Sequence, residues 1–130
     1  MKLHFNHITL CLLLVSGLIY GQQDREATAN TKYNSMSYTE AIALYKGLVA
    51  DGYGSPELFE NLGNSYYYQS NYALARVSYD SLFKRTKDVS KSTYYRYINV
   101  LRSEKDDKKA DKLYTTLLEK YTEEKSEDKL

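Results

Sequence analysis

One small-aromatic-leucine pattern returns three times along the chain, and it constrains the fold more than any other feature. Ala41, Ala75 and Ala110 lie 34 and 35 residues apart. Four residues beyond each stands a tyrosine (Tyr45, Tyr79, Tyr114), and seven beyond each a leucine (Leu48, Leu82, Leu117). Positions i, i+4 and i+7 share one face of a helix, so each copy is a helix with a single apolar stripe. Tyr38 and Tyr72 precede the first two alanines by three residues, while the third copy has Asp107 there. The segment ahead of each alanine repeats as well. Phe59, Leu62 and Tyr66 in the middle copy match Tyr94, Tyr97 and Leu101 in the last. The first copy carries Arg25, Thr28 and Lys32 at those places, so its leading helix is expected to be short or frayed. Two amphipathic helices per period of about 34 residues give antiparallel helix pairs, each burying its apolar face on the next.

The helix start and stop signals agree with that register. Ser37-Tyr38-Thr39-Glu40 has the spacing of a capping box. Ser55-Pro56-Glu57 supplies an N-cap, a proline at the first helical position and an acid facing the positive end of the dipole. Asn71 and Ser90 are the expected caps of the next two helices, and Gly52 and Gly54 mark the turn after the first pair. A chain with one proline and six glycines is poor material for an all-β fold with its many turns. Its 15 tyrosines, against three phenylalanines and no tryptophan, are expected to do the packing.

Residues 1–21 read as a secretory leader and are set apart from the fold. Lys2 supplies the charge, the run from Ile8 to Tyr20 is apolar, and Gly21 is the small residue at the exit. The competing reading is an uncleaved anchor, but an apolar run of about 13 residues spans only ~20 Å of a ~30 Å hydrocarbon core. Cys11 lies inside the run with apolar sequence after it, the wrong place for a lipidated first mature residue. Cleavage after Gly21 removes that only cysteine and both histidines, His4 and His7. It also takes the 18 cations to 17, against 17 anions. The neutral balance gives no basic field for nucleic acid or anionic lipid. With no thiol and no imidazole, Cys/His metal sites and Ser-His or Cys-His catalysis are excluded. The acid pairs Asp106-Asp107 and Glu123-Glu124 lie in lysine-rich company with no apolar wall to raise a pKa. No enzyme activity and no cofactor are expected.

The run Phe59, Leu62-Gly63, Tyr66, Ala75, Tyr79, Leu82 resembles the tetratricopeptide repeat (TPR) signature, with Lys87 where that signature ends in proline. Ile98 in the third copy replaces the small residue the family prefers. The resemblance implies an all-α fold of three helix pairs, at about residues 28–53, 54–88 and 89–121, forming a short right-handed solenoid. It leaves 122–130 as a charged tail. A narrower likeness is carried by residues 32–42 (Lys-Tyr-Asn-Ser-Met-Ser-Tyr-Thr-Glu-Ala-Ile) and 58–67 (Leu-Phe-Glu-Asn-Leu-Gly-Asn-Ser-Tyr-Tyr). These are similar to the amino-terminal repeats of OmpA-family envelope proteins of Bacteroidetes-type bacteria, some of which belong to the type IX secretion apparatus. That likeness implies a periplasmic or outer-membrane location, and its later domains are not in this sequence.

The family's inner helices line a concave groove that binds peptide or protein. Asn30, Asn64 and Asn99 fall at one repeat position that faces this groove in the family. An asparagine amide both donates and accepts, so a row of them holds an extended backbone without reading its side chains. Tyr33, Glu60, Tyr67, Tyr95 and Arg102 are expected on the same face. Some family members clamp a terminal carboxylate with lysines and an arginine. Here Glu26 and Tyr95 take the lysine places and Asn99 the arginine's, so that clamp is not expected. Consecutive helical residues point about 100° apart, which puts Tyr66 and Tyr97 in the core, Tyr67 and Tyr95 in the groove and Tyr68 at the rim or on the back face. With no polar-faced helix after the third pair, Leu113, Leu117 or Tyr121 is expected to be partly uncovered: the chain is a shortened form, or another molecule covers that end.

Overall fold

The computed structural model describes residues 20–127, and the regular structure among them is helical throughout. Residues 1–19 of the expected leader, with His4, His7 and Cys11, lie outside the described residues. The elements are α1 (residues 20–34), α2 (Tyr38–Ala50), α3 (Pro56–Tyr68), α4 (Tyr72–Arg85), α5 (Lys91–Ser103) and α6 (Asp107–Glu127). The chain divides between Gly54 and Ser55 into two compact units, α1–α2 and α3–α6.

Each hairpin turns in the same way. Met36, Ser70 and Lys105 sit in the left-handed region with φ of 60°, 59° and 61°. In each turn that residue's N–H reaches a carbonyl three back, and the next N–H a carbonyl five back. Three unrelated side chains at one backbone conformation show that the helix-end hydrogen bonds, not glycine, set the turn. The caps follow suit. Ser55, Asn71 and Ser90 accept from the N–H of Leu58, Leu74 and Thr93, and Asp106 from that of Lys109. Ser37 makes no side-chain cap. Its hydroxyl takes a hydrogen bond from Ser35, and Glu40 pairs with Lys32 at 2.5 Å, so the expected capping box is replaced by local contacts.

The first unit departs from expectation in its leading helix. α1 is helical over all fifteen described residues from 20 to 34, neither short nor frayed. Polar contacts stand in for the missing apolar stripe. Arg25 reaches Asp51 at 2.6 Å, the Tyr53 hydroxyl donates to Glu26, and Ala29 is fully buried.

The second unit is built around a ring seated on a glycine. A methyl group placed on Gly63 would lie 2.6 Å from Cε1 and 2.7 Å from Cδ1 of Tyr79. Tyr79 is fully buried, and its hydroxyl donates to Asn64 Oδ1 at 2.8 Å. The first hairpin uses the same device. Ala29 takes the place of Gly63, and the Tyr45 hydroxyl donates to Asn30 Oδ1 at 2.5 Å. In the third hairpin Ile98 fills the seat, and Tyr114 is displaced to 39% exposure. An isoleucine cannot share the space that even a methyl group would contest.

Aromatic packing and charge join α4 to α5 and α6. Phe83 meets Tyr94 edge-on with centroids 4.9 Å apart, and Tyr79 tilts against Tyr97 at 5.4 Å. Arg76 reaches Glu104 at 3.0 Å and Asp106 at 2.6 Å in the turn between α5 and α6. Asp80 receives the Tyr97 hydroxyl and the Lys109 ammonium. Burial alone would raise the Asp80 pKa. The hydrogen bonds from Lys109 and Tyr97 and the nearby cations outweigh it and hold the carboxyl below its ordinary value. Burial, together with the carboxylate of Asp80, pushes the Tyr97 hydroxyl well above the usual tyrosine range, so it stays protonated and donating.

Of the three side chains expected at the open end, Leu113 and Tyr121 are half-buried, so that end is partly uncovered as expected, while Leu117 is buried. The exposed apolar side chains of α6 among the described residues are Tyr114 and Leu118. α6 also continues through Glu127, past the expected end of the repeats at 121. Residues 122–127 are rich in Glu and Lys, which favour helix without needing a core.

Two outcomes follow for stability. Gly63→Ala, which in an open helix would stabilise by up to ~1 kcal/mol, is expected to destabilise by about 1–3 kcal/mol in a denaturant melt through overpacking against Tyr79. Asp80 has a depressed native pKa, so its contribution is complete above about pH 4 and is lost as the pH falls through the native value. Between about pH 5 and pH 2, Asp80→Asn is expected to show a flatter loss of melting temperature than the wild type.

Candidate functional site

The eight residues expected on the binding face divide between the two units. In the first, Asn30 is half-buried and holds the Tyr45 hydroxyl, and Tyr33 is half-buried with its ring tilted against Tyr38 at 5.9 Å. Each therefore has work inside its own hairpin.

In the second unit the leading helices α3 and α5 lie side by side. Glu60 and Asn64 are tied into the seam between them. Glu60 accepts from the Thr93 hydroxyl at 2.6 Å and the Ser90 hydroxyl at 3.3 Å. Asn64 is only 4% exposed, and its Oδ1 takes a long contact of 3.4 Å from Arg96 besides that from Tyr79. The structure thus puts Asn64 in the core, where its carbonyl oxygen locks a buried hydroxyl, rather than on an open row of amides. Tyr67 is half-buried between Tyr68 and Tyr72, with centroids 5.9 Å and 5.7 Å away. Tyr66 and Tyr97 are core residues and Tyr68 is exposed, as their spacing on the helix requires.

Tyr95, Asn99 and Arg102 are different. They stand at i, i+4 and i+7 on α5 and all three are exposed, Tyr95 to 42%. The seat that Ile98 fills explains part of this. Tyr114, the counterpart of Tyr79, is not lodged beside Asn99, so the amide of Asn99 makes no hydrogen bond to described residues. Arg102 makes one exposed pair with Asp111 at 3.6 Å, a contact worth little in water. One face of α5 therefore offers an aromatic ring, an amide that both donates and accepts, and a guanidinium. Such a stripe can stack on a side chain, pair with a backbone amide and meet a carboxylate.

At the edge of this face two residues meet in a contact that the sequence does not announce. The Arg96 guanidinium lies over the Tyr68 ring at 5.4 Å and reaches Ser92 and Thr93 at 3.4 Å. Tyr68 and Arg96 belong to different repeats and hold no common repeat position, so periodicity gives no sign of their meeting. Among the described residues no group of His, Cys, Asp or Glu could hold a metal ion, and no helix is long and apolar enough to cross a membrane.

Neither a protein-family model nor a curated protein matches the chain. Among solved structures, the C-terminal part of a TPR repeat-containing protein from Cytophaga hutchinsonii superposes with a TM-score of 0.65 at 22% identity. The match covers 72% of this chain and 37% of that one, so the present sequence spans little more than a third of its length. At this identity the likeness shows the fold: an all-helical, TPR-like arrangement of helix pairs.

The two kinds of asparagine separate under mutation. Asn64→Ala leaves a buried tyrosine hydroxyl without its acceptor and is expected to cost about 1–3 kcal/mol. Asn99→Ala is expected to stay within about 0.5 kcal/mol of the wild type. Paired thermal and denaturant melts of the two variants check the contrast.

Proposed function

We propose that the chain is an exported, non-enzymatic scaffold that binds a polypeptide partner through the leading-helix face of its second unit. The observation that carries this is the exposed stripe Tyr95, Asn99 and Arg102 on α5, beside a TPR-like helical repeat core that already satisfies its own polar groups. A buried enzyme site would need titratable groups in a cleft with shifted pKa values. Asp80, whose carboxyl is held below its ordinary value, is occupied by Lys109 and Tyr97. Aromatic and arginine side chains next to a free amide are the residue types that anchor protein interfaces. Export rests on the leader pattern of residues 1–21, whose first mature residue would be Gln22.

A second, narrower reading makes the chain an accessory subunit of an outer-membrane or type IX secretion complex. It is favoured by the likeness of residues 32–42 and 58–67 to OmpA-family repeats. The two readings share a surface and differ in the partner.

A pull-down from the bacterial envelope tests both. The triple variant Tyr95→Ala, Asn99→Ala, Arg102→Ala is expected to keep its melting temperature within about 2 °C and to lose most of the captured partner. Unchanged capture by the folded triple variant overturns the assignment of the surface. Capture of integral envelope proteins selects the second reading, and a mature terminus other than one near Gln22 removes export.

A further inference from the structure

A trough of about 980 Å3 opens on a different side of the second unit, lined by α4, α5 and α6. Its floor is apolar, made by Phe83, Tyr94 and Leu113. Tyr94 and Tyr95 are successive residues of α5 and so point about 100° apart. The trough that Tyr94 lines and the stripe that Tyr95 belongs to therefore lie on separate faces.

Lysine is the only charged residue type in the lining. Lys87, Lys109, Lys112 and Lys120 stand around the apolar floor. Two of them are spoken for: Lys109 pairs with Asp80 at 2.5 Å, and Lys120 lies 3.9 Å from Asp88. Lys87 and Lys112 have no carboxylate within ion-pair distance among the described residues. Their placement is informative. Lys120 Nζ reaches the backbone carbonyl of Lys87 at 3.5 Å, so Lys87 stands at the Lys120 end of the trough. Lys112 is eight residues back along α6, about 12 Å at 1.5 Å per residue. Two lysines without an ion partner, one in the loop after α4 and one on α6, thus stand on the rim of an apolar floor.

We propose that this trough docks an acidic polypeptide segment, extended, with apolar residues between two carboxylates. An apolar side chain between the acids meets Phe83, Tyr94 and Leu113, while the carboxylates reach Lys87 and Lys112. A fatty acid or a lipid headgroup presents charge at one end only and leaves the other ammonium unmet. The site is independent of the α5 stripe, so the molecule joins two partners, or two segments of one partner, on separate faces.

The probe is a blocked, fluorescein-labelled peptide of sequence SELFLES, titrated with the full chain and read by anisotropy. Its controls are SKLFLKS and SESSSES. The acidic apolar peptide is expected to bind at least tenfold more tightly than either control. Lys87→Glu with Lys112→Glu is expected to weaken it at least tenfold while leaving the helical circular dichroism unchanged, because neither lysine has an ion partner to lose. The triple variant in Tyr95, Asn99 and Arg102 is expected to bind the probe as the wild type does. Equal binding of all three peptides, or indifference to the charge reversal, overturns the proposal. Loss in the triple variant assigns the binding to the α5 stripe and also overturns it. Anionic phosphatidylglycerol vesicles serve as the last arm: capture by vesicles without binding of the peptide replaces the polypeptide with a lipid surface.

Discussion

The contact of Tyr79 with Gly63 is the constraint on which the second unit depends. A ring pressed against a backbone leaves no room for a side chain, and the same ring sends its hydroxyl to Asn64. Helix spacing, helix pairing and the burial of one polar group are settled together. The first hairpin repeats the arrangement with Ala29, Tyr45 and Asn30. The third shows what happens without it. Once Ile98 fills the seat, the tyrosine moves outward and the asparagine is released. A change that looks like a decayed repeat is therefore the event that creates an exposed polar face, because the amide freed by Ile98 stands between Tyr95 and Arg102. Core packing and surface chemistry are here two results of one substitution.

Much of this was legible in the residues. The alanines, tyrosines and leucines at a period of 34 to 35 place the helices, and three of the caps sit where the sequence puts them. The pairing of Asn30 with Tyr45 and of Asn64 with Tyr79 was also present as two parallel series fifteen residues apart. Each series has its own helical meaning, and nothing in either series alone says that the two meet. α1 was misjudged for a physical reason. A helix held by Arg25 to Asp51 and Glu26 to Tyr53 has no apolar stripe, and hydrophobic periodicity is blind to such contacts. Ser37 does not cap because its hydroxyl meets Ser35 instead; the left-handed turn before it is shared with Asn71 and Asp106, which do cap. The lysine-rimmed trough was not legible, since its residues come from three helices and a loop, and only those on α6 share a helical spacing.

The two faces of the second unit differ in kind. The α5 stripe is mixed, with one ring, one amide and one cation. The trough is apolar beneath with lysines around its rim. A small helical repeat of this sort has few cavities and many helix surfaces, so distinct chemistry on separate faces of one helix is how it can discriminate between partners. The core contributes rigidity: Tyr79, Tyr97 and Phe83 form a continuous aromatic layer that fixes α5 against α4 and so fixes both faces at once.

The joint between the second and third hairpins is part aromatic and part ionic. Its ion pairs, Arg76 with Glu104 and Asp106 and Asp80 with Lys109, are about one-quarter to one-half exposed, within reach of dissolved salt. Electrolyte at the Debye length of about 8 Å that prevails in physiological fluid already weakens such pairs, while rings and buried hydroxyls are indifferent to it. Ionic strength therefore acts on this joint unevenly: it slackens the ionic half of the coupling between the α3–α4 and α5–α6 hairpins and leaves the aromatic half as it was.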